Sequence, residues 1–298
     1  MEAANQQRNP GNSSTKLILY SYWQSSCSWR IRFALNLKGL SYEYRAVDLL
    51  KGEQFSPEFE RLNPLHYVPV LVDGDVVVSD SYAIFLYLEE KYPQKPLLPD
   101  DLQLRAINLQ AASVVNSSLQ PLTTLSLLRN LEVKIGPEET FLWAQSVIEK
   151  GFLALEKLLK VFSGKYATGE AVYMSDVFLA PQIAVAMMRF KMDMTKFPTL
   201  SRIYESYKSL PEFEASFPTN NLMLQEYSHG HQGPCDQNRL MLCIDQCSIT
   251  RRSGSYKSRL GAQIKNLFQF FLPKHPNCFL AVWTAIKIKK MFFFSLLF

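Results

Sequence analysis

The chain has 298 residues, 47% hydrophobic and 20% charged, a composition that builds a core and excludes wholesale disorder. A net charge of +5 would suggest nucleic acid or an anionic membrane if it were spread evenly. It is not: ten Lys/Arg against three Asp/Glu fall in residues 219–298, leaving 22 against 24 in residues 1–218, so the body carries no signal for a polyanionic partner.

The first fifteen residues, MEAANQQRNPGNSST, are polar. They lack the apolar stretch of a secretory signal and hold one arginine, which makes a poor transit peptide; residues 1–14 are expected to be a disordered leader. Cys27 is the one cysteine of residues 1–218, which suits a reducing, cytoplasmic location better than a disulfide-stapled secreted fold.

Lys16–Tyr20 (KLILY) reads as a buried strand, followed by the small-residue turn Ser25-Ser26-Cys27-Ser28. Trp29, Ile31, Phe33, Ala34, Leu37 and Leu40 then recur near helical spacing, predicting a helix over 28–38 that Gly39 ends. Tyr42–Val47 alternates as a second strand. After a helical segment, Leu71-Val72, Asp73-Gly74 and Val76–Val78 predict a tight hairpin. Ser81 precedes the amphipathic stretch Tyr82–Tyr92, which Pro93 stops. These elements make one α/β domain over 15–93. The proline-rich run Pro93–Pro99 follows, with 94–99 as a linker. Leu102–Arg129, Glu138–Phe162, Ser175–Met188 and Pro198–Tyr207 then read as helices with apolar faces, an all-α domain over 100–218. Residues 219–298 lose that periodicity and are expected to be a disordered tail. Its apolar runs are interrupted by Lys287, Lys289 and Lys290 and fall short of the ~18 residues that span a bilayer.

Three places carry chemistry. The turn Ser25–Ser28 lies between a strand and a helix start, where free N–H groups and the helix dipole favour an anion; its plainer reading is a helix N-cap. Val68-Pro69 opens the third strand. A trans proline at a strand start is the plainer reading, and a cis bond would leave backbone groups free to pair with a peptide ligand. At Asp80-Ser81, Ser81 fits a cap, while the pair also suits a ligand carboxylate and ammonium.

Absences matter as well. His66 is the one histidine of residues 1–218, so a Ser-His-Asp hydrolase is not supported, and no phosphate-binding glycine loop is present. The tail residues His229, His231, Cys235, Cys243 and Cys247 match no common zinc spacing. No metal is expected.

With the Ser-Ser-Cys turn, the Val-Pro and the Asp-Ser in that order, the chain resembles the zeta class of glutathione transferases, also called maleylacetoacetate isomerases. SSCSWRIRFALNLKGL carries the resemblance most specifically, supported by QFSPEFERLNPLHYVPVLVDGD, AIFLYLEEKYP, LQPLTTLSLL and DVFLAPQIAVAMMRFKMDMTKFPTL. It covers about 15–218. It implies a thioredoxin-like domain followed by an all-α domain, a homodimer, and glutathione as cofactor. Ser25 matches the catalytic serine, with Ser26 and Cys27 beside it. Ser25, Ser26, Cys27, Ser28, Trp29 and Arg30 are implied to line the glutathione site, with Gln54, Val68, Pro69, Asp80 and Ser81. Gln120, Thr124, Leu125 and Ser126 match second-domain residues near it, and Arg189 an arginine that attracts substrate carboxylates. Asp80 stands where glutamine or glutamate is usual, Tyr67 for a glutamine, and Thr124 for an asparagine. The implied reaction is cis-trans isomerisation of maleylacetoacetate to fumarylacetoacetate in tyrosine and phenylalanine catabolism. The rivals are conjugation or peroxide reduction in detoxification, thiol-disulfide exchange at Cys27, and glutathione binding without turnover.

Overall fold

The computed structural model describes residues 16–217. The expected leader, the expected tail and the tail's His/Cys run lie outside the described residues.

Strand β1 (Leu17–Ser21) runs parallel to β2 (Tyr42–Ala46), with helix α1 (Ser26–Lys38) as the crossover between them. A short 3₁₀ turn (Glu53–Phe55) and α2 (Pro57–Leu62) lead to the hairpin β3 (Val70–Asp73) and β4 (Val76–Ser79), and α3 (Ser81–Lys91) closes the unit. The sheet order is β2-β1-β3-β4, with β3 antiparallel to both of its neighbours. This is the expected thioredoxin-like arrangement. The helical half follows as α4 (Leu102–Ser113), α5 (Leu125–Ile135), α6 (Pro137–Phe162), α7 (Met174–Phe190), α8 (Pro198–Lys208) and α9 (Pro211–Ala215).

Local chemistry accounts for the boundaries. Gly39 ends α1 in the left-handed region (φ 69°), its N–H returned to the carbonyls of Asn36 and Leu35, as a glycine C-cap does. The hairpin loop is Gly74-Asp75 rather than Asp73-Gly74: Asp73 is still paired with Val76, and Gly74 alone of the two takes positive φ. Expected helix 102–129 is not continuous. Past Ser113 it widens into a π stretch (Val114–Leu119), tightens into a 3₁₀ turn (Gln120–Thr123), and restarts as α5. Pro121 has no N–H to continue an α ladder, and its ring clashes with the preceding turn.

The π stretch is held from below by α6. A Cβ added at Gly151 would lie 2.1 Å from Leu119 Cδ2, so a glycine is required for the two segments to approach this closely. One core runs through both halves: Trp29, Ile31, Phe33 and Leu35 of α1 join Phe85 of α3, Phe152 of α6 and Phe178 of α7. Among the described residues no helix is long and apolar enough to cross a membrane, and no cluster of His, Cys, Asp and Glu could hold a metal ion.

Candidate functional site

The site is built on the N-terminus of α1. Ser25 is the N-cap: its backbone is extended, and its Oγ accepts from Ser28 N at 3.2 Å. The plainer reading as a helix cap therefore holds, and it is compatible with the functional one. Capping uses a lone pair of Oγ and leaves the hydroxyl proton to donate. Ser25 N–H itself is tied back to Tyr22 O at 3.1 Å. The N–H groups of Ser26 and Cys27 bond to nothing among the described residues, as expected of a first helical turn. Ser25, Ser26 and Cys27 are partly exposed, whereas Ser28 is buried, its Oγ accepting from Tyr22 N at 3.4 Å.

Behind the turn, Arg30 is fully buried. Its Nη1 donates to Ser81 Oγ (3.1 Å) and to Asn116 Oδ1 (2.9 Å), and its guanidinium carbon lies 4.8 Å from the centre of the Phe178 ring. Burial pulls its pKa down, while Cys27 and Asp80 oppose the shift. Its Nε and Nη2 have no partner among the described residues, and buried polar groups seldom remain so. Arg30 thus joins the start of α3 to the π stretch, and Asn116 is a member of this cluster that sequence reasoning missed. A lone asparagine in a helical run gives no signal of its own.

Asp80, not Ser81, caps α3. Its carboxylate accepts from Tyr82 N (2.8 Å) and Ala83 N (3.1 Å), leaving Ser81 as the first helical residue, buried against Arg30. Asp80 stands at φ 76°, ψ 126°, a backbone state that costs a non-glycine residue about 1–3 kcal/mol and concentrates at ligand sites.

On the other flank, Val68-Pro69 is cis, correcting the plainer trans reading, and β3 starts one residue later. The backbone of Val68 makes no hydrogen bond among the described residues. Gln54 is buried and its Oε1 is unpartnered. His66, read from sequence as an ordinary loop residue, ties these segments together: its Nδ1 donates to Gln54 O at 2.9 Å. Asn63 Nδ2 donates to Tyr67 O at 2.8 Å, from the same loop.

The second-half residues are less tightly bound in. Thr124 is the N-cap of α5, accepting from Leu127 N, and Ser126 Oγ donates to it at 3.4 Å. Gln120 and Leu125 are partly buried and Ser126 is exposed. No hydrogen bond joins these four to the Ser25 turn. Arg189 is exposed near the end of α7. Desolvation of its guanidinium lowers its pKa, opposed by Tyr22 and Glu132, and the guanidinium carbon lies 5.3 Å from the centre of the Phe190 ring.

Trp29 is fully buried, as are Ser28 and Arg30. Its side chain packs toward α9, with Nε1 donating to Ser216 Oγ at 2.7 Å and its ring stacked on Phe213.

Residues 19–96 match the family model of the glutathione S-transferase N-terminal domain. A zeta-class glutathione S-transferase of Euphorbia esula is 58% identical over 203 residues, 68% of this chain and 90% of that protein. The maleylacetoacetate isomerase of Rattus norvegicus is 46% identical over 205 residues, 68% of this chain and 93% of that protein. Among solved structures, the maleylacetoacetate isomerase of Anaeromyxobacter dehalogenans with glutathione in its active site superposes with a TM-score of 0.64 at 42% identity, covering 70% of this chain and 97% of that one.

Proposed function

This chain belongs to the zeta class of glutathione transferases, and from that premise we propose that it isomerises maleylacetoacetate to fumarylacetoacetate with glutathione as cofactor, acting as a cytoplasmic homodimer in tyrosine and phenylalanine catabolism. The observation that carries the reading is Ser25: a helix cap whose hydroxyl proton remains free to donate. The residues present fit a γ-glutamyl tripeptide. Val68 offers unpaired backbone groups, as strand-like peptide recognition requires. Gln54 holds a buried, unpartnered oxygen, and Arg30 two buried, unpartnered donors.

When bound, glutathione would supply a thiolate nucleophile suited to reversible addition to the cis double bond, so that it would act as a cofactor and not be consumed. The protein's part is to hold that sulfur ionised and the substrate in place. Ser25 Oγ donates to the sulfur, and the N–H groups of Ser26 and Cys27 add the positive end of α1. One unit of thiol pKa corresponds to about 1.4 kcal/mol, and a hydrogen bond to a charged group is worth about 1.5–3 kcal/mol, so Ser25 and the helix tip suffice. Asp80 holds the ammonium of the γ-glutamyl end. Arg189, exposed near the end of α7, pairs with a substrate carboxylate and so positions the reacting carbon. Val76 and Val77 leave apolar surface on the edge strand β4, available to a second copy.

The test is stoichiometric. With maleylacetoacetate as substrate, product should accumulate while total glutathione stays constant; depletion in step with product would favour conjugation instead. In the same assay Ser25→Ala should lose most of its turnover and Cys27→Ala should retain more. The reverse order would make Cys27 the reactive group.

A further inference from the structure

We propose that Arg32 is a positioning residue that fixes the Ser25 turn by bracing it against the C-terminal helix α9. The inference rests on the reading of that turn as the thiol-activating element. Arg32 is fully buried. Its Nη1 donates to Ser21 Oγ (3.0 Å) and Tyr22 O (3.4 Å), its Nη2 to Trp23 O (3.0 Å), and its Nε to Ser216 O (3.1 Å). The Tyr22 carbonyl is the acceptor that also receives Ser25 N–H. A single guanidinium therefore grips the end of β1, two of the three residues before Ser25, and the carbonyl that ends α9.

Charge argues that this is more than packing. Arg32 makes no ion pair among the described residues, and every acceptor around it is neutral. Tyr42 and Tyr44 of β2 are the titratable groups that act on it most. A buried cation without a counter-charge is costly, and an apolar side chain of similar volume is commonly tolerated as well or better. What an apolar replacement cannot supply is a rigid fork that holds several carbonyls in fixed relation.

The same helix provides an internal control. Trp29, Arg32, Phe33 and Asn36 form one stripe of α1 facing α9, and Asn36 Nδ2 donates to Glu212 O at 3.0 Å. Asn36 anchors α9 without touching Tyr22 or Trp23, so removing it loosens α9 and leaves the turn's own clamp in place.

The experiment titrates the thiol of bound glutathione by its ultraviolet thiolate absorbance in the full-length protein, with thermal melts alongside, for Arg32→Met, Arg32→Lys, Asn36→Ala and Ser25→Ala. Arg32→Met should raise the bound thiol's pKa by about one unit, a roughly tenfold loss of thiolate at a fixed pH below it, and should shift the acid limb of kcat by the same amount. Arg32→Lys should recover part of the shift, and it serves as the reading if the methionine variant does not fold. Asn36→Ala should lower the melting temperature and leave the thiol where it was. The proposal is overturned if the Arg32 variants lower the melting temperature without moving the thiol, or if Asn36→Ala moves it equally. Ser25→Ala separates the two claims. If it shifts the thiol while the Arg32 variants do not, only the Arg32 proposal fails. If it shifts nothing, the reading of the turn fails and this inference with it.

Discussion

At the scale of single residues, the proposed site asks capping and ligand chemistry to draw on different parts of the same group. Ser25 gives a lone pair to its own helix and keeps a proton to donate. Asp80 shows the same economy with a different cost: it caps α3 through one oxygen while its backbone sits at φ 76°. Replacing Asp80 by glycine separates these terms. Glycine removes the backbone strain and is only a few tenths of a kcal/mol worse as a cap, so thermal stability should hold or rise. Loss of the carboxylate removes a charge-assisted contact of about 1.5–3 kcal/mol, so the Kd for glutathione should weaken by roughly 10- to 100-fold. Unchanged affinity in a calorimetric titration would show that Asp80 serves the helix alone.

At the scale of elements, α1 was the most legible part of the sequence and its faces the least. Apolar spacing marked a helix, Gly39 marked its end, and the serine turn marked its start. Yet Arg30 and Arg32 look alike in sequence, and the fold sends Arg30 toward α3 and the π stretch while Arg32, with Trp29, faces α9. The partners are far away in the chain, and no local period encodes them. The break after Ser113 was hidden for the opposite reason. Its apolar pattern does read as helix, and only Pro121 and the close approach of Gly151 to Leu119 interrupt it. Helix α7 carries a further device at its start. Asp176 is fully buried and accepts from Ala167 N (2.8 Å), Tyr173 N (2.9 Å) and Tyr207 OH (2.6 Å), yet burial pushes its carboxyl up to about 6. A carboxyl raised in the folded state above its unfolded value of about 3.9 contributes stability below that lower value and loses it as pH rises through 6. The loss amounts to about 3 kcal/mol for this group. Between pH 4 and pH 7 the unfolding free energy of Asp176→Asn, measured by denaturant titration, should therefore move in the variant's favour relative to the parent by about that amount. A difference that stays flat across the window would contradict the raised value.

At the scale of the whole molecule, the two halves are joined by α1 and by the proline-rich connection after α3. The prolines made that connection visible in sequence, but not how it is held. Lys38 and Glu89 form a buried pair at 2.6 Å. Lys38 also donates to the carbonyls of Tyr92 and Lys95, and Glu89 accepts from Leu97 N and Leu98 N. Charged residues read as surface unless their partner is known, and these two lie fifty-one positions apart. The site has the same character. Ser25, Val68 and Asp80 stand out as candidates in sequence because turns, prolines and caps are local signals, whereas Asn116 and Arg32 enter only through what the fold brings beside them. The proposed function turns on the sulfur of bound glutathione, which the Ser25 turn is proposed to keep ionised near neutral pH. Its ultraviolet titration in the complex is the most direct test. The account predicts a pKa at least about one unit below the ~8.5 of a free thiol, rising toward that value in Ser25→Ala. A bound thiol that titrates at or above the free value in the parent protein would contradict it.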